Sequence, residues 1–167
     1  KLQAELDSAK SRTERNRLGQ FATPSLLATS IVEKAKQFLA PHQPIRFLDP
    51  ALGTGAFYSA LLRVFPDDQI VMARGYELDP HYGESARLLW SDHRTEIIIG
   101  DFTKSIPPER DADKFNLVVC NPPYVRHHHL PVDEKKRLQA KVAQVTQIEF
   151  SGLAGLYTYF LGIAHAW

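Results

Sequence analysis

Two short stretches hold residue types suited to chemistry as well as to folding. The first is Asp49-Pro50-Ala51-Leu52-Gly53-Thr54-Gly55, whose two glycines permit backbone conformations, and a close ligand approach, that a Cβ would block. Glu77 follows about 20 residues later, the spacing at which an acid accepts hydrogen bonds from ribose hydroxyls. Together they imply a nucleoside-bearing cofactor. Tyr58 replaces the third glycine of a dinucleotide fingerprint, and no Gly-Lys-Ser/Thr follows as in a phosphate loop, so a nucleoside without phosphates fits better. The second stretch is Asn121-Pro122-Pro123-Tyr124. Pro122 restricts Asn121 to extended conformations and both prolines fix their own φ. Carbonyls are thereby held outward, beside an amide and a ring on which a flat base can stack.

These residues need a scaffold that brings them together. Four short apolar runs, Ile45 to Leu48, Ile70 to Tyr76, Glu96 to Ile99 and Phe115 to Cys120, are bounded by turn residues and read as strands. Ala56 to Phe65 and His81 to Trp90 have helical character between them, so the pattern is that of right-handed crossovers and a parallel α/β sheet. Asp49, Glu77, Asp101 and Asn121 stand at or just after the strand ends. In an open parallel sheet ligands lie beyond the carboxyl ends of the strands, so these four polar residues should converge on one site. Upstream, a polar segment of helical composition runs to about Arg17. Thr23-Pro24 then predicts a helix with Thr23 as its N-cap and Pro24 in its first turn. Leu27, Ile31, Ala35, Phe38 and Leu39 form the apolar face of that helix. Leu138, Val142 and Val145 make a second helical stripe, and Leu156 to Trp167 is apolar and helical in pattern.

Composition narrows the class. The chain has 167 residues, 44% hydrophobic and 23% charged, which fits one ordinary domain with a core of its own. Twenty Lys plus Arg against nineteen Asp plus Glu leave a net charge of +1, weak support for a dedicated nucleic-acid surface. Arg126, Lys135, Lys136, Arg137 and Lys141 outnumber Asp133 and Glu134 locally, as on a solvated helix face. No apolar stretch is long enough for a bilayer, so a cytoplasmic location with no membrane partner is expected. Cys120 has no second cysteine to pair with, and alternation points it into the sheet as a packing residue. His127, His128 and His129, read as lying on an extended loop, point in different directions and do not suit one metal ion.

The glycine-rich loop resembles the cofactor motif of S-adenosylmethionine-dependent methyltransferases. Asn121-Pro122-Pro123-Tyr124 resembles the Asn-Pro-Pro-Tyr motif of the amino-methyltransferases among them. Gly19-Gln20-Phe21-Ala22-Thr23-Pro24 is similar to the segment that precedes the cofactor motif in DNA adenine-N6 methyltransferases of restriction-modification systems, and Leu156-Tyr157-Thr158-Tyr159-Phe160 to a later motif of the same enzymes. The resemblance implies a Rossmann-like class I methyltransferase fold and transfer of a methyl group from S-adenosylmethionine to the adenine N6 amine in DNA. It implies that Asp49, Ala51, Gly53 and Gly55, with Pro50 of the same motif, line the methionine side of the cofactor, under the segment holding Phe21, Thr23 and Pro24. Glu77, beside Leu78, would hold the ribose, Asp101 would face the adenine amino group, and Phe102 and Phe160 would lie at the cofactor adenine. Asn121 would lie at both cofactor and target. Asn121, Pro122, Pro123 and Tyr124 would carry catalysis.

The motif itself leaves other targets open, because glutamine and RNA guanine methyltransferases use a similar turn. A cofactor-binding or assembly module without catalysis is a further alternative. The chain is expected to be a fragment: residues 1–18 an N-terminal helical segment and residues 19–167 a catalytic domain incomplete at its C-terminus and lacking target recognition. Double-stranded DNA with a flipped adenine would be the partner of the full-length protein, and the fragment alone could self-associate.

Overall fold

The structure is a computed structural model that describes residues 2–11, 13–15 and 19–167. It comprises two compact units. The first contains residues 1–9, 22–102 and 115–121, and the second residues 10–21, 103–114 and 122–167.

The first unit is built on a parallel sheet of β1 (Ile45–Asp49), β2 (Ile70–Glu77), β3 (Thr95–Ile99) and β4 (Leu117–Val118), in the order β3-β2-β1-β4. The chain steps from β1 outward to β2 and β3, then returns to pair β4 with the opposite side of β1. That reversal is a topological switch point, which in parallel sheets opens a crevice at the carboxyl ends of the flanking strands. Asp49 ends β1 here, and Asn121 lies three residues beyond the end of β4. The helices are α1 (Leu2–Ser8), α2 (Ser25–Lys36), α3 (Ala56–Val64) and α4 (Pro80–Leu89). Phe47, Leu61, Ile45 and Val32 form a core with Ala28, Tyr58 and Ala86.

All four expected strands are present, with one much shorter. β4 pairs only at Leu117 and Val118, although Asn116 N and Val119 N also donate to Arg46 O and Leu48 O, at 3.1 and 3.0 Å. The Asn116 side chain takes over below, accepting from Arg46 N at 2.9 Å and donating to Pro44 O at 2.8 Å. Above, Pro122 and Pro123 have no N–H to extend the ladder.

Two readings of α2 need correction. Pro24, with φ −58° and ψ 138°, occupies the N-cap position, and Thr23 makes no cap hydrogen bond. The buried face is Ala28 and Val32, continued by the partly buried Ala35 and Leu39, whereas Leu27 is exposed and Phe38 is 80% exposed. In α4 the cap is Asp79, which accepts from His81 N at 3.1 Å. The N-terminal helix α1 ends at Ser8, and the expected helical limit at Arg17 lies outside the described residues.

The second unit contains α5 (Val132–Thr146) and α6 (Leu156–Ala164). Leu138 and Val142 of α5 and Tyr159, Phe160 and Ile163 of α6 are buried. A Cβ on Gly162 would stand 3.0 Å from both Phe150 and Val142, so the helix packs closely here and these side chains would have to yield by a few tenths of an ångström to admit one. Among the described residues no helix is long and apolar enough to cross a membrane.

Candidate functional site

Asp49 ends β1 and is fully buried. Its Oδ1 accepts from Ala51 N at 3.1 Å, while Oδ2 is buried with no hydrogen-bond partner among the described residues. Burial, reinforced by the nearby charge of Glu77, pushes its carboxyl up to about 8. A buried polar atom without a partner costs stability and persists where it has something to bind. Because the folded-state value lies above the ordinary 3.8, the native protein retains a proton that the unfolded chain has lost. The stability present at pH 4 is therefore lost progressively as pH rises toward 8. Asp49→Asn is expected to raise Tm by several degrees at pH 8 and to change it little at pH 4. Thermal unfolding at both pH values tests this, and equal shifts would contradict it.

Glu77 ends β2 and ties two loops together. Its Oε2 accepts from Gly53 N and its Oε1 from Asp79 N, both at 2.8 Å. A carboxylate accepts about four hydrogen bonds, so these two are compatible with a ribose diol as a further ligand. A Cβ on Gly53 would meet nothing within 4 Å, so this glycine faces open space. Asp101 follows β3 half-buried, and Leu78 is 60% exposed.

The structure gives Gly55 and Phe102 different surroundings from those expected. A Cβ on Gly55 would lie 2.5 Å from Trp90 Nε1, so the side on which a side chain would project is filled by an indole. Trp90 Nε1 also donates to Thr54 O at 3.0 Å and holds the loop from below. Tyr58 meets the same indole edge to face, at 5.1 Å between ring centroids. Phe102 is only 1% exposed and packs on Tyr76 with centroids 5.3 Å apart, so it presents no open stacking face here. Sequence reasoning gave Trp90 no role, because its place at the end of α4 carries no motif.

Asn121, just past β4, donates from Nδ2 to Thr23 Oγ1 at 3.3 Å. Cys120 precedes it with its thiol pushed up to about 12 by burial and by Asp49, which suits packing and not nucleophilic chemistry.

The second unit holds the rest of the turn. Pro122 and Pro123 are half-buried, Val125 N donates to Pro123 O at 3.1 Å, and Leu156 N donates to Val125 O at 2.9 Å, so the start of α6 supports the turn. Tyr124 is 56% exposed and its ring lies 6.0 Å from that of Tyr157, tilted by 35°. Gly19, at φ +64°, faces the same backbone: a Cβ there would stand 2.6 Å from Tyr124 N and 3.1 Å from Pro123 C. Phe21 is exposed and Phe160 is buried.

Two surface features also differ from expectation. His127, His128 and His129 form a 3-10 turn in place of an extended loop. Arg137 is not simply solvated: its guanidinium donates to both carboxylate oxygens of Glu134 and to the carbonyl and hydroxyl of Thr103. This holds the Glu134 carboxyl below its usual range.

Comparison with known proteins adds independent findings. The chain is 33% identical to the type II methyltransferase M.XamI of Xanthomonas campestris pv. amaranthicola over 86% of its own length and 26% of that protein's. The chain thus spans about a quarter of that relative. Its fold is similar to that of the methyltransferase subunit of a type I restriction-modification system from Streptococcus thermophilus, with TM-score 0.65 and 19% identity over 87% of this chain and 32% of that one. It is also similar to a protein from Listeria monocytogenes assigned to the class I S-adenosylmethionine-dependent methyltransferases, with TM-score 0.66 and 15% identity over 98% and 47%. At these identities the likeness is one of fold: a Rossmann-like class I methyltransferase fold. Residues 74–166 match the Eco57I restriction-modification methylase family, and these cover more than half of the chain, from β2 through α6. The chain belongs to the Eco57I restriction-modification methylase family.

Proposed function

We propose that this chain is the cofactor-binding and catalytic part of a methyltransferase that modifies the N6 amine of adenine in DNA, with S-adenosylmethionine as methyl donor. The observation that carries the reading is the pairing at the switch point: a fully buried Asp49 with an unpartnered oxygen on β1, and Asn121 opening the Pro-Pro-Tyr turn beyond β4. The residues present fit the cofactor. Asp49 Oδ2 lacks a partner, and the space beside Gly53 admits a ligand. Asp49, Pro50, Ala51 and Gly53 would hold its amino-acid end, with Thr23 and Pro24 nearby. Glu77 would hold the ribose and Asp101 the adenine amino group. When bound, S-adenosylmethionine supplies an electrophilic methyl group on a sulfonium.

The chain's own residues must then make a poor nucleophile competent. An exocyclic amine delocalises its lone pair into the aromatic ring. If Asn121 Oδ1 and Pro122 O both accept from its hydrogens, the nitrogen moves toward tetrahedral geometry and the lone pair is aimed. Tyr124 offers its exposed ring to a base withdrawn from the duplex, a contact worth about 1–3 kcal/mol. Residues 19–167 make up the catalytic domain in this reading, and site recognition belongs to other parts of the full-length protein.

The test is to treat duplex DNA with the full-length protein and labelled S-adenosylmethionine and to identify the modified nucleoside by mass spectrometry. N6-methyladenine is expected. Methylated cytosine, or label found only in RNA or protein glutamine, would overturn the assignment. In the same assay Tyr124→Ala should weaken capture of the DNA substrate by about tenfold or more, from the stacking energy lost, and Tyr124→Phe should retain it.

A further inference from the structure

We propose that Gln3 and Asp7 of α1 are positioning residues for the cofactor, holding the loops after β1 and β2 at the separation its ribose requires. This rests on the reading of Glu77 as the ribose group and goes beyond it, because the sequence puts the helical segment before residue 19 outside the catalytic domain. α1 belongs to the same compact unit as the sheet. Its Leu2, Gln3, Leu6 and Asp7 are partly buried, whereas Ala4, Glu5 and Ser8 are exposed, so one face is turned to the protein. Thr54 of the glycine-rich loop donates from Oγ1 to Gln3 Oε1 at 2.6 Å, and Gln3 Nε2 donates to Asp7 Oδ1 at 2.8 Å. The same Asp7 oxygen accepts from Tyr82 OH at 2.9 Å, and His81 Nε2 lies 3.1 Å from Leu6 O.

This relay closes a circuit around the ribose group. Glu77 joins the two loops once, through Gly53 N and Asp79 N, and Asp79 in turn caps α4. Gln3 and Asp7 join them again, from Thr54, next to Gly53, to Tyr82 in the first turn of α4. Trp90 holds Thr54 from the far end of α4, so the Gln3 and Asp7 tie is the one at the end near Glu77. The residue types suit the task. Only an amide both accepts from the Thr54 hydroxyl and donates to the Asp7 carboxylate. A binding group keeps its geometry when the loops that carry it are themselves held by such contacts. A helix of seven residues is marginal by itself, so the docking of α1 depends on these same loops. Order in the loops and docking of α1 therefore reinforce each other, and the coupling is reciprocal.

The test titrates S-adenosylhomocysteine calorimetrically into the full-length protein carrying Gln3→Ala, Tyr82→Phe, both together or, on the exposed face of α1, Glu5→Ala. Tm is measured with and without the ligand. Gln3→Ala should weaken binding about tenfold, and Tyr82→Phe, which removes only the hydroxyl at the other end, about fivefold. The double variant should be little worse than Gln3→Ala, since a relay broken at one end is already broken. Glu5→Ala should bind as the unaltered protein does. In Gln3→Ala the rise in Tm on adding ligand should shrink, while Tm without ligand should fall by no more than about 2 °C. Unchanged affinity in both Gln3→Ala and Tyr82→Phe would overturn the proposal and leave the reading of the cofactor site standing. So would a lower Tm without ligand joined to an undiminished rise on adding it, which makes α1 a packing element, or losses that add fully in the double variant, which make the two contacts separate. An unaltered protein that does not bind S-adenosylhomocysteine would instead remove the cofactor reading itself.

Discussion

Asn121→Ala in the full-length protein is expected to lower the single-turnover rate of methyl transfer by about 100–1000-fold, the loss typical of one preorganised polar contact. Cofactor affinity should be nearly unchanged. The separation follows from position: Asn121 stands beyond β4, whereas the groups proposed to hold the cofactor belong mainly to the loops after β1, β2 and β3. A contact made in the transition state lowers the rate on removal without weakening ground-state binding. Chromatography of the product nucleosides, with calorimetry for the cofactor, measures both quantities. A full rate would refute the amine-aligning role, and an equal fall in cofactor affinity would make Asn121 a binding residue.

The second large effect is on stability, and it separates two glycines that look alike in the motif. Gly55 has φ +89° and a Cβ there would collide with Trp90 Nε1 at 2.5 Å and Cε2 at 3.1 Å. The indole has little freedom to yield, because Tyr58 and His93 pack on it at 5.1 and 5.2 Å. Gly55→Ala combines left-handed strain of about 1–2 kcal/mol with overpacking of about 1–3 kcal/mol, and it threatens the Trp90 to Thr54 hydrogen bond, worth about 1 kcal/mol. At about 2–4 °C per kcal/mol, Tm should fall by about 10 °C. Gly53 has φ +57° and open space beside it, so Gly53→Ala should cost only the strain while its methyl group enters the region proposed for the cofactor. Thermal unfolding and calorimetry of the two variants should show opposite profiles, with Gly55→Ala unstable and Gly53→Ala weak in binding. Equal profiles would refute the distinction.

Much of this site was legible in the sequence because its signals are local. Alternation of strand and helix, bounded by turn residues, specifies a parallel α/β sheet, since each short apolar run can be buried only with helices over it. The ends of those runs then put Asp49, Glu77, Asp101 and Asn121 at or beyond the carboxyl edge of one parallel sheet. Asn121-Pro122-Pro123-Tyr124 is equally self-contained, its stiffness coming from the proline rings. What tertiary structure decided were the interactions between residues far apart in the chain. Local rules made Thr23 a helix cap, but its hydroxyl meets Asn121 across 98 residues. Trp90, from the end of α4, fills the space where a Gly55 side chain would project, and Tyr76 packs on Phe102, two contacts that no local motif specifies. α2 buries Ala28 and Val32 in place of its larger Leu27 and Ile31, because helical periodicity defines a stripe but not which stripe faces the sheet. Periodicity, turn chemistry and motif spacing are properties of neighbouring residues, whereas burial and partner choice arise only when distant segments compete for the same space.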